Sequence, residues 1–92
     1  MPYIKPEDRI IIDEHIGRAV ALIKESKPFT AGEFNYMITK LTDAFVNRTK
    51  KNYANLNDAI GVLECAKLEY YRRIASPYEE GKILENGDVY GH

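Results

Sequence analysis

The run Glu69-Tyr70-Tyr71-Arg72-Arg73 holds the densest chemistry in the chain, two phenol rings beside two guanidinium groups. Arginine meets phosphate through paired N–H bonds, and a tyrosine face can stack on a base. That combination suits a nucleotide-like anion. Tyr78 follows just beyond Pro77 and completes one candidate set, Tyr71, Arg72, Arg73 and Tyr78. The same residues also have a structural reading. Glu69 can pair with Arg73 one turn on, and arginines near a helix C-terminus complement its dipole. A second set, Asn35, Tyr36 and Lys40, offers a hydrogen-bonding amide, a stacking ring and a phosphate-binding ammonium. A solvated helix face accounts for these three as well.

Catalytic chemistry finds less support. Helical metal-dependent hydrolases converge carboxylates at i, i+3 or i+4, because several oxygens must reach one cation. Glu64 and Glu69 are five apart, while Asp13/Glu14 and Glu79/Glu80 are adjacent, so on helices these pairs diverge. His15 and His92 have no serine or cysteine motif beside them to serve as catalytic bases. Cys65 is the single cysteine, which rules out an internal disulfide and leaves no Cys/His zinc cluster. It reads as a small packing residue. No catalytic residue, metal ligand or cofactor is expected, and the protein is not expected to be an enzyme; a nucleotide hydrolase ranks last. A net charge of −1 gives no general attraction to nucleic acid or anionic membrane. "MPYIKPEDR" has charges where a signal peptide's apolar run would begin, and Asp13 and Glu14 interrupt "IIIDEHI". A cytoplasmic protein without membrane contact is the expectation.

These groups must be carried by helices. The pattern predicts one all-α domain over 1–92: a three-helix bundle with a short C-terminal fourth helix and an extended tail. The helices are placed at about 6–25, 31–46, 53–75 and 77–85. Pro6 suits a first helical turn, Glu7 and Asp8 complement the dipole, and Ile12, Ile16, Ala19, Val20 and Ile23 recur at helical spacing. In "FTAGEF", Thr30 and Glu33 spell a capping box, and Phe29 and Phe34 stand at staple positions. Phe34, Met37, Ile38, Leu41 and Phe45 then form one stripe. Either Asn52 or Asn55 can cap the third helix, whose inward face is Leu56, Ala59, Ile60, Leu63, Ala66, Tyr70 and Ile74. Ser76-Pro77-Tyr78-Glu79 repeats a helix-start code, and Asn86-Gly87 supplies a stop.

The third helix carries a second stripe, Asn57, Gly61, Glu64 and Leu68, continued by Tyr71. Glycine mid-helix costs about 1 kcal/mol against alanine, and its presence invites a close backbone approach. The stripe is read as an oligomer interface.

Four stretches, "MPYIKPEDR", "GEFNYMITKL", "NDAIGVLECAKLEYYRR" and "PYEEGKILENGDVY", resemble a family of small uncharacterised proteins found in bacterial and phage genomes. The likeness covers nearly the whole chain. It departs at the Glu33-Phe34 pair, where the family often reads Asp-Leu or Glu-Leu, and at the trailing Gly91-His92. The resemblance implies no catalytic activity. It places the chain beside small phage-borne binders, among them sponges that sequester the nucleotide second messengers of bacterial immunity in the host cytoplasm. Two readings follow. One is a non-enzymatic homo-oligomer that binds a small anionic nucleotide-like ligand through Asn35, Tyr36, Lys40, Tyr71, Arg72, Arg73 and Tyr78. The alternative is a dimeric protein-protein interaction module with no small-molecule ligand.

Overall fold

The computed structural model describes residues 2–91. Helix α1 (Pro6–Glu25), α2 (Ala31–Val46), α3 (Tyr53–Tyr70), a π-helical turn (Tyr71–Ala75) and α4 (Ser76–Asn86) follow in order, with no strand among the described residues. The chain divides into two compact units, Pro2–Ala59 and Ile60 onward, with the boundary inside α3.

In the first unit each helix begins for a local reason. α1 starts at Pro6, whose missing N–H is no loss in a first turn, and the Arg9 guanidinium donates back to the Ile4 carbonyl at 2.8 Å. It ends where the Ser26 amide donates to the Leu22 carbonyl, just before Lys27 and the cis-linked Pro28. α2 opens with a complete capping box. The Glu33 amide donates to Thr30 Oγ1 at 3.1 Å, and the Thr30 amide donates to Glu33 Oε1 at 3.0 Å. α3 is capped by Asn52, whose Oδ1 accepts from the Asn55 amide at 2.9 Å. Asn55 instead ties down the preceding loop, its amide donating to the Lys50 carbonyl and to Thr49 Oγ1.

The capping box makes α2 sensitive to acid. Hydrogen bonds from the Thr30 amide, and then from its hydroxyl, hold the Glu33 carboxyl below the ordinary value of 4.5. A carboxyl lowered in the folded state contributes stability above its unfolded value, and that contribution is lost as pH falls through the lowered one. Thr30→Ala removes the cap and is expected to lower the melting temperature at neutral pH. Thermal unfolding of the full chain should show the deficit shrinking as pH falls from 4.5 through the lowered value, where Glu33 protonates and the wild type loses its side of the box.

Past the boundary the helix does not stop where the sequence suggests. Ala75 and Ser76 both have right-handed helical torsions, and Ser76 makes no side-chain cap. Its amide instead donates to the Tyr71 carbonyl, five residues back, which is π winding. Pro77 explains the detour. A proline inside a helix lacks one donor, and its ring crowds the carbonyl four residues earlier. The wider turn relieves that crowding, and the backbone runs on as one helix over 53–86. The separate fourth helix is thus the continuation of the third, and the described residues form three helices. The Asn86-Gly87 stop does form: Gly87 takes φ 87°, and its amide closes on the Ile83 carbonyl at 2.8 Å.

Among the described residues only Val46 (6 % exposed) and Ala59 (4 %) are buried. Met37, Ile38 and Phe45 are half-buried, with the Arg48 guanidinium 3.8 Å over the Phe45 ring. Ile12, Ile16 and Val20 on α1, Phe34 and Leu41 on α2, and Leu56, Ile60, Leu63, Tyr70 and Ile74 on α3 and the π turn are all exposed. Pro6 opens α1, a capping box opens α2 and Asn52 caps α3, while these apolar side chains stay exposed.

Candidate functional site

The seven candidate ligand residues fall into two clusters, one in each unit. On α2, Tyr36 and Lys40 line a hollow of about 400 Å³ whose apolar wall is Leu22, Phe29, Met37 and Leu41. Leu22 comes from the end of α1 and Phe29 from the connection, so the α1–α2 corner builds the hollow. Glu33 stands on its rim, still engaged in the capping box. Asn35 is not part of it. The Thr39 hydroxyl donates to the Asn35 backbone and side-chain oxygens at 2.9 and 3.3 Å, turning that amide into local helix structure.

The second cluster surrounds the π turn. Arg72 Nη2 donates to Glu69 Oε1 at 2.7 Å, an i,i+3 pair. Arg72 remains largely exposed, and so does the Tyr78 ring. The Lys82 ammonium sits 5.5 Å from the centre of that ring. Each group can meet a ligand, and each already has a protein partner.

Tyr71 is held differently. Its hydroxyl donates to the Glu79 carboxylate, which raises the phenol above its ordinary value of 10, with further contributions from the Glu79 charge, burial and Tyr90. Eight residues of plain α winding turn through about 800°, which would leave Tyr71 and Glu79 about 80° apart. The π turn absorbs the extra residue and returns Glu79 to the Tyr71 side. Sequence reasoning assigned Glu79 to a capping box and left Tyr90 in a loose tail. Only the register shift caused by Pro77 could have signalled this grouping.

The tail has order of its own beyond Gly87. The Tyr90 amide donates to Asp88 Oδ1 at 3.0 Å, an Asx turn. Val89 and Tyr90 then help line a second hollow of about 390 Å³ with Glu79, Lys82, Ile83 and Asn86. Lys82 also reaches Glu85 at 3.5 Å.

The proposed interface residues lie along α3. Asn57, Gly61, Glu64 and Leu68 are all exposed, and Glu64 is bridged to Lys67 at 3.1 Å. A Cβ at Gly61 would meet nothing within 4 Å. His15 and Cys65 are exposed, and His92 lies outside the described residues. Among the described residues no group of three or more His, Cys, Asp or Glu is placed to hold a metal ion, and no helix is long and apolar enough to cross a membrane. What the arrangement offers chemically is binding by stacking, ion pairing and apolar contact.

No curated protein and no solved structure matches this chain. Residues 1–89 match the model of the domain of unknown function DUF6899, and the chain belongs to that family.

Proposed function

We propose that the protein is a non-catalytic homo-oligomer whose apolar core closes between copies as a helical bundle, and that it binds a small anionic nucleotide-like ligand. One observation carries this reading: α2 and α3 begin on side-chain caps, yet almost nothing is buried among the described residues. Helical stability in water comes chiefly from packing an amphipathic face, so stripes such as Ile12/Ile16/Val20 call for a partner. Second copies of the same stripes are the partner always at hand, and the Gly61/Leu68 side of α3 offers a close approach. Tyr36 and Lys40 at an apolar hollow, with Arg72, Arg73 and Tyr78 around the π turn, supply the stacking and phosphate-binding groups. In a phage setting such a module acts in the host cytoplasm as a sponge that sequesters a nucleotide second messenger.

The interaction module without a small ligand is favoured by a different observation, the engagement of Arg72 by Glu69 and of Tyr71 by Glu79. Native mass spectrometry of protein purified from cells separates the two. The first reading expects a multimer that carries a nucleotide-like anion and releases it chemically unchanged on denaturation. A multimer that takes up no ligand from a panel of cyclic dinucleotides, cyclic trinucleotides and cyclic ADP-ribose isomers establishes the interaction module. A monomer at every practical concentration rejects both.

A further inference from the structure

We infer that Asn86-Gly87 is a spontaneous modification site, where the Gly87 backbone nitrogen displaces the Asn86 side-chain amide and so undoes the stop of the last helix. Six asparagines occur in the chain, and only Asn86 is followed by glycine. Any following side chain would crowd the approach of the backbone nitrogen to the amide carbon, and glycine has none. The space around Gly87 is open as well, since a Cβ built there would meet nothing within 4 Å. Asn86 is exposed, so water reaches the reacting atoms. Asn35, Asn47, Asn52 and Asn55 differ, each preceding a residue with a side chain and each holding its own amide in a local hydrogen bond.

The bonds balance with water as the only co-reactant. The Gly87 nitrogen gives up its proton and bonds to Asn86 Cγ. The Cγ–Nδ2 bond breaks, and Nδ2 leaves with that proton as ammonia. A cyclic imide remains, in which the Gly87 nitrogen joins both carbonyl carbons of residue 86. Water then adds to either carbon and breaks its bond to the nitrogen. Addition at Cγ leaves aspartate. Addition at the backbone carbonyl carbon leaves isoaspartate, whose main chain runs through the former side chain and is longer by one carbon. No atom is oxidised or reduced.

The fold sets the rate. The Gly87 amide donates to the Ile83 carbonyl at 2.8 Å, and Asn86 is the last residue of α4. In that state the nitrogen's proton is engaged, and helical winding holds the nitrogen away from Cγ. Reaction waits for the last turn to open, which costs a helix terminus little free energy. Little packing opposes it, since Leu84 in that turn is 88 % exposed. The product cannot return. Segment 76–91 is acidic, with Glu79, Glu80, Glu85 and Asp88 against the single Lys82. A new carboxylate at 86 adds to this charge at a helix C-terminus, where the dipole disfavours it. Glu79, Asn86, Asp88 and Tyr90 line one hollow, so the repulsion falls where the tail meets the helix. In the isoaspartate form the longer main chain also draws the Gly87 amide off the Ile83 carbonyl.

The test incubates the full chain at neutral pH, folded in buffer and unfolded in guanidinium chloride. Mass spectrometry follows the C-terminal peptide, and enzymatic carboxyl methylation counts isoaspartate. Asn86 should be the first asparagine converted in both samples, and folding should slow it by less than about a hundredfold. Asn86→Gln, which would have to close a larger ring, should leave that peptide unconverted. The isoaspartate form, separated by chromatography, should keep its overall helicity while its Gly87 amide exchanges with deuterium at the rate of an open chain by NMR. The site is overturned if another asparagine of the folded protein converts first. It is also overturned if folding protects Asn86 beyond that hundredfold, since the stop then seals the reaction. An isoaspartate form whose Gly87 amide exchanges as slowly as in the unmodified protein overturns the undoing of the stop.

Discussion

Dilution of the purified protein is expected to lower its melting temperature, with helicity and association lost in one transition. Obligate oligomers have no stable folded monomer, so their stability follows protomer concentration. For a dimer, each tenfold dilution removes about 1.4 kcal/mol of stability. With Val46 and Ala59 the only buried residues described, a lone copy has little with which to offset the entropy of ordering its helices. Gly61 sharpens the test. Its surroundings are open, so in a lone chain Gly61→Ala should only improve helix propensity, by about 0.8–1 kcal/mol. Gly61→Leu should weaken association while leaving helicity at high concentration unchanged, since only an approaching partner makes a side chain costly there. A melting temperature that stays constant over roughly a hundredfold dilution would exclude the oligomeric core.

The second large effect concerns the ligand. Tyr78→Ala is expected to weaken binding by about 1–3 kcal/mol, the range seen when a stacking ring is removed. Truncation after Ser76 should abolish binding, because Tyr78 and the acidic segment go together. Arg72→Ala and Arg73→Ala should each weaken binding further and flatten its dependence on salt, as expected when an ion pair to phosphate is lost. Calorimetry with the captured nucleotide measures each. The competing view holds that 76–91 merely covers apolar surface. Under it, truncation lowers the melting temperature while Tyr78→Ala leaves affinity unchanged.

What could be read beforehand was whatever the backbone decides locally. Thr30 and Glu33 are three residues apart, Pro6 opens a turn, and Gly87 supplies a positive φ; such signals act within one helical turn and survive in any context. Ser76-Pro77-Tyr78-Glu79 carries the same kind of signal and yields a different outcome. A capping code stabilises a helix start only where orphan amides need partners, and here the preceding turn already offers the Tyr71 carbonyl. The pairing of Tyr71 with Glu79 was hidden for the same reason, because helical spacing counted from either side assumes uninterrupted winding. The stripes on α1, α2 and α3 were legible as apolar faces, but a stripe does not name what covers it. Inward-facing and partner-facing residues share one composition.

The π turn also governs how this protein tolerates changes in length. In an ordinary helix, deleting one residue rotates everything beyond it by about 100°, which scrambles the faces of the downstream segment. Residues 71–75 already contain one residue more than plain winding would use. Shortening the chain by one there, together with replacement of Pro77, relaxes the bulge to an α turn and leaves residues 76–86 in phase with α3. An insertion at the same place has no such slack to draw on. Natural length variants of this chain should therefore cluster at 71–75 as single deletions that also lack the proline, which makes the widened turn a hereditary expansion joint as well as a structural one.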